Sequence, residues 1–200
     1  TIEFIGVGIP DIRKVLFEVL SDYPNNEEST NQILSVSNEL FEENIAEYKL
    51  AAVLIWQYFL LDRKTDKEVV ELIKNIFEKK LIFDWNTCDW LCVRVLTPVI
   101  DRSDGKIHKE ILSWVNKDDL WHSRASIVPF AQSAVLPDVL RSLEGNLVNM
   151  IRRKERFAKT SVGWLLREAS KRNPSFVKEF YNNNEAYFTA EVRKNAFKYF

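Results

Sequence analysis

Apolar residues recur along the chain at intervals of three and four, the spacing that lines one face of an α-helix. Pro10 suits the first turn of a helix running through Arg13, Leu16, Phe17 and Leu20. Ser29 with Gln32 reads as a capping box ahead of Ile33, Val36, Leu40 and Phe41. Asn44 with Glu47 repeats that start signal before Ala51, Leu54, Ile55 and Tyr58. Thr65 with Glu68 does so again before Val69, Leu72, Ile73 and Ile76. Breaks are expected at residues 22–26, Ser103-Asp104-Gly105, Leu136-Pro137, Asn173-Pro174 and Asn182-Asn183-Asn184. No sustained two-residue alternation competes with this pattern. The chain is therefore expected to be all-α, with about ten helices joined by short links.

Short helices in series suggest stacked hairpins, and the tryptophans supply a period. Trp85, Trp121 and Trp164 are 36 and 43 residues apart, close to the length of a two-helix HEAT-type unit. Each is expected at the start of an apolar helix, with an ionisable residue three or four positions later. The partners are Asp89 for Trp85, Arg124 for Trp121, and Arg167 and Glu168 for Trp164. That spacing puts ring and charge on one helical face. Each Trp alone reads first as a packing seam, whereas equivalent positions of successive repeats line one surface of a solenoid. The expected architecture is a HEAT-like helical-repeat solenoid, an α-α superhelix forming a single domain over residues 1–200.

Composition narrows the function classes. The chain has 200 residues, 46% hydrophobic and 28% charged, enough to fold and bury a core. Five Gly and six Pro are few for a β-sandwich or barrel. The net charge of -1 conceals an asymmetry. Residues 141–200 hold 13 Lys+Arg against 6 Asp+Glu, a net of +7, while residues 1–140 carry a net of -8. The densest basic run includes Arg152 and Arg153, and such runs read either as a solvated helix face or as a polyanion contact. No basic segment leads into an apolar stretch near Thr1, and Leu50 to Leu61 is too short to span a bilayer. Two Cys make no disulfide framework. These features point to a cytoplasmic or other intracellular protein with no membrane partner. A monomer is expected, and the nucleoid or nucleus stays open as its location.

Enzyme constellations are sparse. His108 and His122 belong to no zinc motif, and His122 is expected to be exposed or to cap a helix. Cys88 and Cys92 share a helix face, but nothing completes a metal set, so buried thiols are expected and no metal or cofactor is invoked. Gly6-Val7-Gly8 lacks the Lys-Ser/Thr ending of a phosphate loop. What remains is Asp89, framed by Trp85 and Trp90. A carboxylate among aromatics can stabilise a cationic transition state or position a water molecule. It can equally form a salt bridge with Arg94 or Arg124.

Five segments, in order, resemble a known family. Phe4-Ile5-Gly6-Val7 with Pro10 and Arg13, and Glu47-Tyr48-Lys49-Leu50-Ala51-Ala52, look like the opening motifs of the DNA alkylation repair (AlkD-like) glycosylases. Trp85-Asn86-Thr87-Cys88-Asp89 is similar to that family's Trp-x-x-x-Asp segment, and Trp121-His122-Ser123-Arg124-Ala125 to its Trp-x-x-Arg-Ala segment. Gly163-Trp164-Leu165-Leu166-Arg167-Glu168 resembles its Gly-Trp-x-Leu-Arg-Glu signature. The resemblance implies a HEAT-like solenoid that holds alkylated duplex DNA and hydrolyses the N-glycosidic bond of N3- and N7-alkylated purines. It implies Asp89 as the catalytic carboxylate, with Trp85 and Trp164 flanking the deoxyribose. Arg124 would bind the backbone, with Arg167 adding a phosphate contact; Trp121, Arg152 and Arg153 complete the candidate DNA-binding set. The family's N-terminal helices would precede Thr1. Two other readings stay open: a DNA-binding member without catalysis, and a HEAT-like protein-interaction scaffold.

Overall fold

The computed structural model describes residues 2–200, so the expectations attached to Thr1 lie outside the described residues. It is all-α, as the periodicity predicts, with no strand among the described residues. No helix among them is long and apolar enough to cross a membrane. The chain forms two compact units, Thr1–Val95 and Leu96–Phe200.

The first unit contains α1 (Ile9–Leu20), α2 (Glu27–Glu42), α3 (Ala46–Ile55), α4 (Asp66–Glu78) and α5 (Trp85–Leu91). Helix α3 is its centre and packs against α1, α2 and α5. Every residue from Leu50 to Trp56 is buried, because a helix that is apolar all round must be covered all round. A π-helical turn, Trp56–Leu60, extends it. That turn sets Tyr58 and the next residue, Phe59, each 5.2 Å from the Phe17 ring of α1.

The second unit contains α6 (Thr97–Arg102), α7 (Gly105–Ser113), α8 (Leu120–Arg124), α9 (Val128–Ala131), α10 (Leu136–Arg152), α11 (Arg156–Ser170), α12 (Pro174–Asn184) and α13 (Ala190–Ala196). Here α11 is the centre, touching α8, α9, α10, α12 and α13. Gly163 explains how near α13 comes. A Cβ at that position would lie 3.3 Å from the Val192 carbonyl oxygen, and backbone cannot step aside as a side-chain tip can.

One device occurs in both units. Helices α2 and α3 are joined by residues 43–45, and the fourth residue of α3, Lys49, donates to the Phe41 carbonyl (2.5 Å) in the last turn of α2. Its second bond goes to the Leu81 carbonyl (2.9 Å), in the link before α5. Helices α10 and α11 are joined by residues 153–155, and the fourth residue of α11, Lys159, donates to the Ile151 carbonyl (2.8 Å) in the last turn of α10. Its second bond goes to the Tyr187 carbonyl (2.6 Å), in the link before α13. The last carbonyls of a helix have no intrahelical donor and carry the negative end of its dipole, so a cation there satisfies both needs. Lys49 is fully buried, and burial lowers its pKa, with Asp84 and Glu43 partly opposing the shift.

Local start signals hold where nothing distant competes. The Thr65 hydroxyl and Glu68 carboxylate form the expected capping box on α4. The other two boxes are corrected. Helix α2 begins two residues before Ser29, capped by the Asn26 side chain, which accepts from the Ser29 N–H at 2.9 Å. Helix α3 is preceded by Ile45, which is its N-cap, and the Asn44 carbonyl accepts from the Glu3 N–H at 2.8 Å. The Glu47 carboxylate instead accepts from the Ile5 (3.1 Å) and Gly6 (2.8 Å) N–H groups, tying the N-terminal segment to α3. Gly6 has φ +83°, a conformation that favours glycine. Asn182, Asn183 and Asn184 do not break α12 but form its last turn.

Lys49→Met leaves two carbonyls without their donor and should destabilise the protein by about 1.5–3 kcal/mol in urea unfolding. Lys159→Met should cost less, since Lys159 is only half-buried. Burial raises the Glu47 pKa, but backbone N–H groups of Ile5, Glu47, Gly6 and Val7 outweigh it and hold the carboxyl below its ordinary value. Its stabilisation is therefore complete above the unfolded value, about 4.3, and is lost as pH falls through the lower folded value. Glu47→Gln should flatten that part of the acid unfolding profile.

Candidate functional site

In the first unit the site residues sit on α5. The Asp84 side chain caps it, accepting from the Thr87 N–H at 2.9 Å. Thr87, Cys88 and Leu91 face inward, and the expected burial of both cysteine thiols is found. The opposite side carries Trp85, 53% exposed, and Asp89, half-buried one helical turn later. Trp90 is half-buried, and Arg94, named as a possible ion-pair partner for Asp89, lies 5.2 Å over its ring. The start of α5 is fixed from behind. Lys49 holds the Leu81 carbonyl, lies 4.6 Å from the Phe83 ring, and feels the Asp84 charge. The second Asp84 carboxylate oxygen is buried and accepts no hydrogen bond.

In the second unit the site residues converge on α11. Trp121 is half-buried against Phe157, ring centroids 5.4 Å apart. Arg124 is 4% exposed and donates to the Phe157 carbonyl (2.5 Å) and the Thr160 hydroxyl (3.5 Å). Thr160 lies one turn before Trp164, so Arg124 fastens the segment of α11 that carries this Trp. Trp164 is half-buried, and its indole N–H is enclosed without an acceptor among the described residues. It lies in the middle of α11 rather than at a helix start, which corrects the expected phase; Trp85 and Trp121 do sit at helix starts.

The remaining candidates are dispersed. Arg167 pairs with Glu168 (2.7 Å) and reaches Asn195 (3.4 Å). Burial raises the Glu168 pKa, and the hydrogen bonds from Lys171 and Arg167 more than reverse this, leaving it below its ordinary value. Arg153 pairs with Glu155 (2.6 Å) and donates to the Asp118 carbonyl (3.0 Å), so it staples α8's approach to α11. Arg152 is exposed and lies 5.2 Å over the Tyr187 ring. His122 is not exposed, nor does its side chain cap α8: it is 2% exposed, with its ring 5.1 Å from Trp114, and Asp119 is the cap. Among the described residues, no three His, Cys, Asp or Glu side chains converge as metal ligands would.

Sequence reasoning passed over Lys49, Asp84 and Phe157 as supports. Asp84 was open to detection, as an Asp three residues before Thr87 at a helix start. In the sequence, Lys49 is marked only as part of the Glu47-Tyr48-Lys49-Leu50-Ala51-Ala52 segment, with no role attached.

The fold defines an all-α protein in which Asp89 and Trp85 of the first unit and Trp121 of the second lie on short, capped helices. Compared with known proteins, residues 1–200 match the model of the DNA alkylation repair enzyme family, and the chain belongs to that family. A solved structure, "Predicted DNA alkylation repair enzyme from Enterococcus faecalis", shares the fold with a TM-score of 0.78 at 17% identity, over 99% of this chain and 88% of that one. No curated protein matches the sequence.

If Asp84 sets the start of α5, Asp84→Ala should lower stability by about 1 kcal/mol in chemical unfolding. An unchanged midpoint would remove it as a support of Trp85 and Asp89.

Proposed function

We propose that this protein is a monofunctional DNA glycosylase that hydrolyses the N-glycosidic bond of N3- and N7-alkylated purines in duplex DNA. The observation that carries the reading is Asp89, half-buried one turn from the exposed Trp85 on a capped helix, in a chain of the DNA alkylation repair family. The chemistry needs little more. An alkylated purine already bears positive charge, so when the C1′–N bond breaks its electron pair leaves with a neutral base. The sugar gains oxocarbenium character, which a carboxylate at Asp89 stabilises. Water then adds to C1′ and gives up a proton, with Asp89 as the acceptor, leaving an abasic sugar. Trp85, one turn from Asp89, offers an electron-rich face to the developing cation, a contribution of about 0.5–2 kcal/mol, and Trp164 of the second unit is the other candidate for this role. No step calls on a metal or cofactor.

Arg124 and Trp121 act in this reading mainly by holding the Trp164 segment of α11, in keeping with the burial of Arg124. Arg152 is the candidate backbone contact whose charge is open, Arg153 and Arg167 reach phosphate only by exchanging their glutamate partners, and the helical hairpins are read as HEAT-like repeats. A second reading, duplex binding without excision, draws on the +7 balance of residues 141–200. The two differ in one observable.

Duplex containing N7-methylguanine or N3-methyladenine, incubated with the protein, should release free base above the spontaneous rate. Asp89→Asn should cut that release by at least about 10²-fold with DNA affinity unchanged. Full activity in the variant would remove Asp89 from catalysis, and no release by the parent would leave only the binding reading.

A further inference from the structure

The positive charge of the second unit is distributed unevenly among its cations. Five of the six glutamates between Arg141 and Phe200 pair with Arg or Lys, and the sixth, Glu185, accepts from the Tyr181 hydroxyl at 2.7 Å. Among the described residues, Lys178, Arg193 and Lys198 meet no carboxylate at ion-pair distance, although all three are exposed. Each lies over an aromatic ring instead. Arg193 sits 5.4 Å over Tyr181, Lys178 5.4 Å over Phe200, and Lys198 5.8 Å over Tyr199.

A carboxylate partner fixes a cation and cancels its charge. A ring fixes the cation and leaves the charge directed at solvent. Two of these cations, Lys178 of α12 and Arg193 of α13, line one recess of about 420 Å³ with Tyr181, Asn182 and Phe197. Tyr181 meets Phe188 (5.0 Å) and Phe197 (5.1 Å) at steep ring angles, and Arg193 lies over its ring. With a Lys and an Arg side chain lining it, the recess suits an anion. The Arg fork, the Lys point charge and the Asn182 amide together supply the donors that a phosphodiester accepts.

We propose that this recess docks the backbone phosphates of duplex DNA away from the lesion, independently of sequence and damage. None of the residues assigned to excision lines it. The proposal rests on the DNA reading above and adds to it a separate contact, which supplies affinity for undamaged duplex.

The test compares the parent protein with Lys178→Glu/Arg193→Glu, and with a charge-matched control in the first unit, Lys14→Glu/Lys67→Glu. Affinity for undamaged duplex should fall at least about tenfold in the recess variant at low salt. Its salt slope should shrink by about two, since each phosphate contact contributes about 0.9. The control should stay within about twofold, and Lys178→Gln/Arg193→Gln should show an intermediate loss. Base release at saturating protein should be unchanged, with only the half-saturating concentration rising. Equal affinity and slope in parent and recess variant, or equal losses in the control, would overturn the recess while leaving excision intact. No duplex binding by the parent would overturn both readings. Binding to anionic phospholipid vesicles but not to duplex would replace DNA with a membrane surface and overturn the proposal.

Discussion

The ends of two helices set the terms for the rest of the structure. Where α2 turns into α3, and α10 into α11, a three-residue link leaves helix-terminal carbonyls facing the next helix with no backbone donor in reach. Lys49 and Lys159, each the fourth residue of the second helix, supply the missing hydrogen bonds. Each then reaches a second carbonyl in the link before a later helix. One side chain thereby sets both the hairpin and the starting point of the helix that follows. In the first unit that helix is α5, so the position of Trp85 and Asp89 depends on a buried ammonium group.

This dependence accounts for which features could be read from the sequence. The helical class followed from three- and four-residue periodicity, and the Thr65 box from chemistry confined to one turn. Asn44 failed as a cap because Glu3 pairs with its carbonyl and Glu47 turns to the Ile5 and Gly6 N–H groups, partners more than forty residues away. Ser29 failed because Asn26, three residues earlier, holds the cap. The three tryptophans looked like one repeated position. The recurring element is instead a lysine whose acceptors lie eight residues back and about thirty ahead, a spacing that exists only once the hairpin has formed. Gly163 was visible as part of a motif, but its reason, the Val192 backbone against it, belongs to tertiary packing.

The cations divide by burial into different tasks. Lys49 and Arg124 are enclosed and hold backbone, so each acts on chemistry only through the helix it positions. Arg153 and Arg167 are engaged by neighbouring carboxylates. The outward charge resides on side chains such as Arg152 and Arg193, seated on aromatic rings. A net charge of -1 therefore says little about affinity for a polyanion, because compensated and uncompensated cations count alike in the total.

Membership of the DNA alkylation repair family does not by itself name the bond that is broken, and the proposed reaction breaks the glycosidic one. Mass-spectrometric product analysis of a duplex carrying a single N3-methyladenine tests this most directly. Hydrolysis of the glycosidic bond predicts free methylated base and an uncleaved strand bearing one abasic sugar. Loss of the methyl group with the base still attached, or an unchanged duplex, would contradict it.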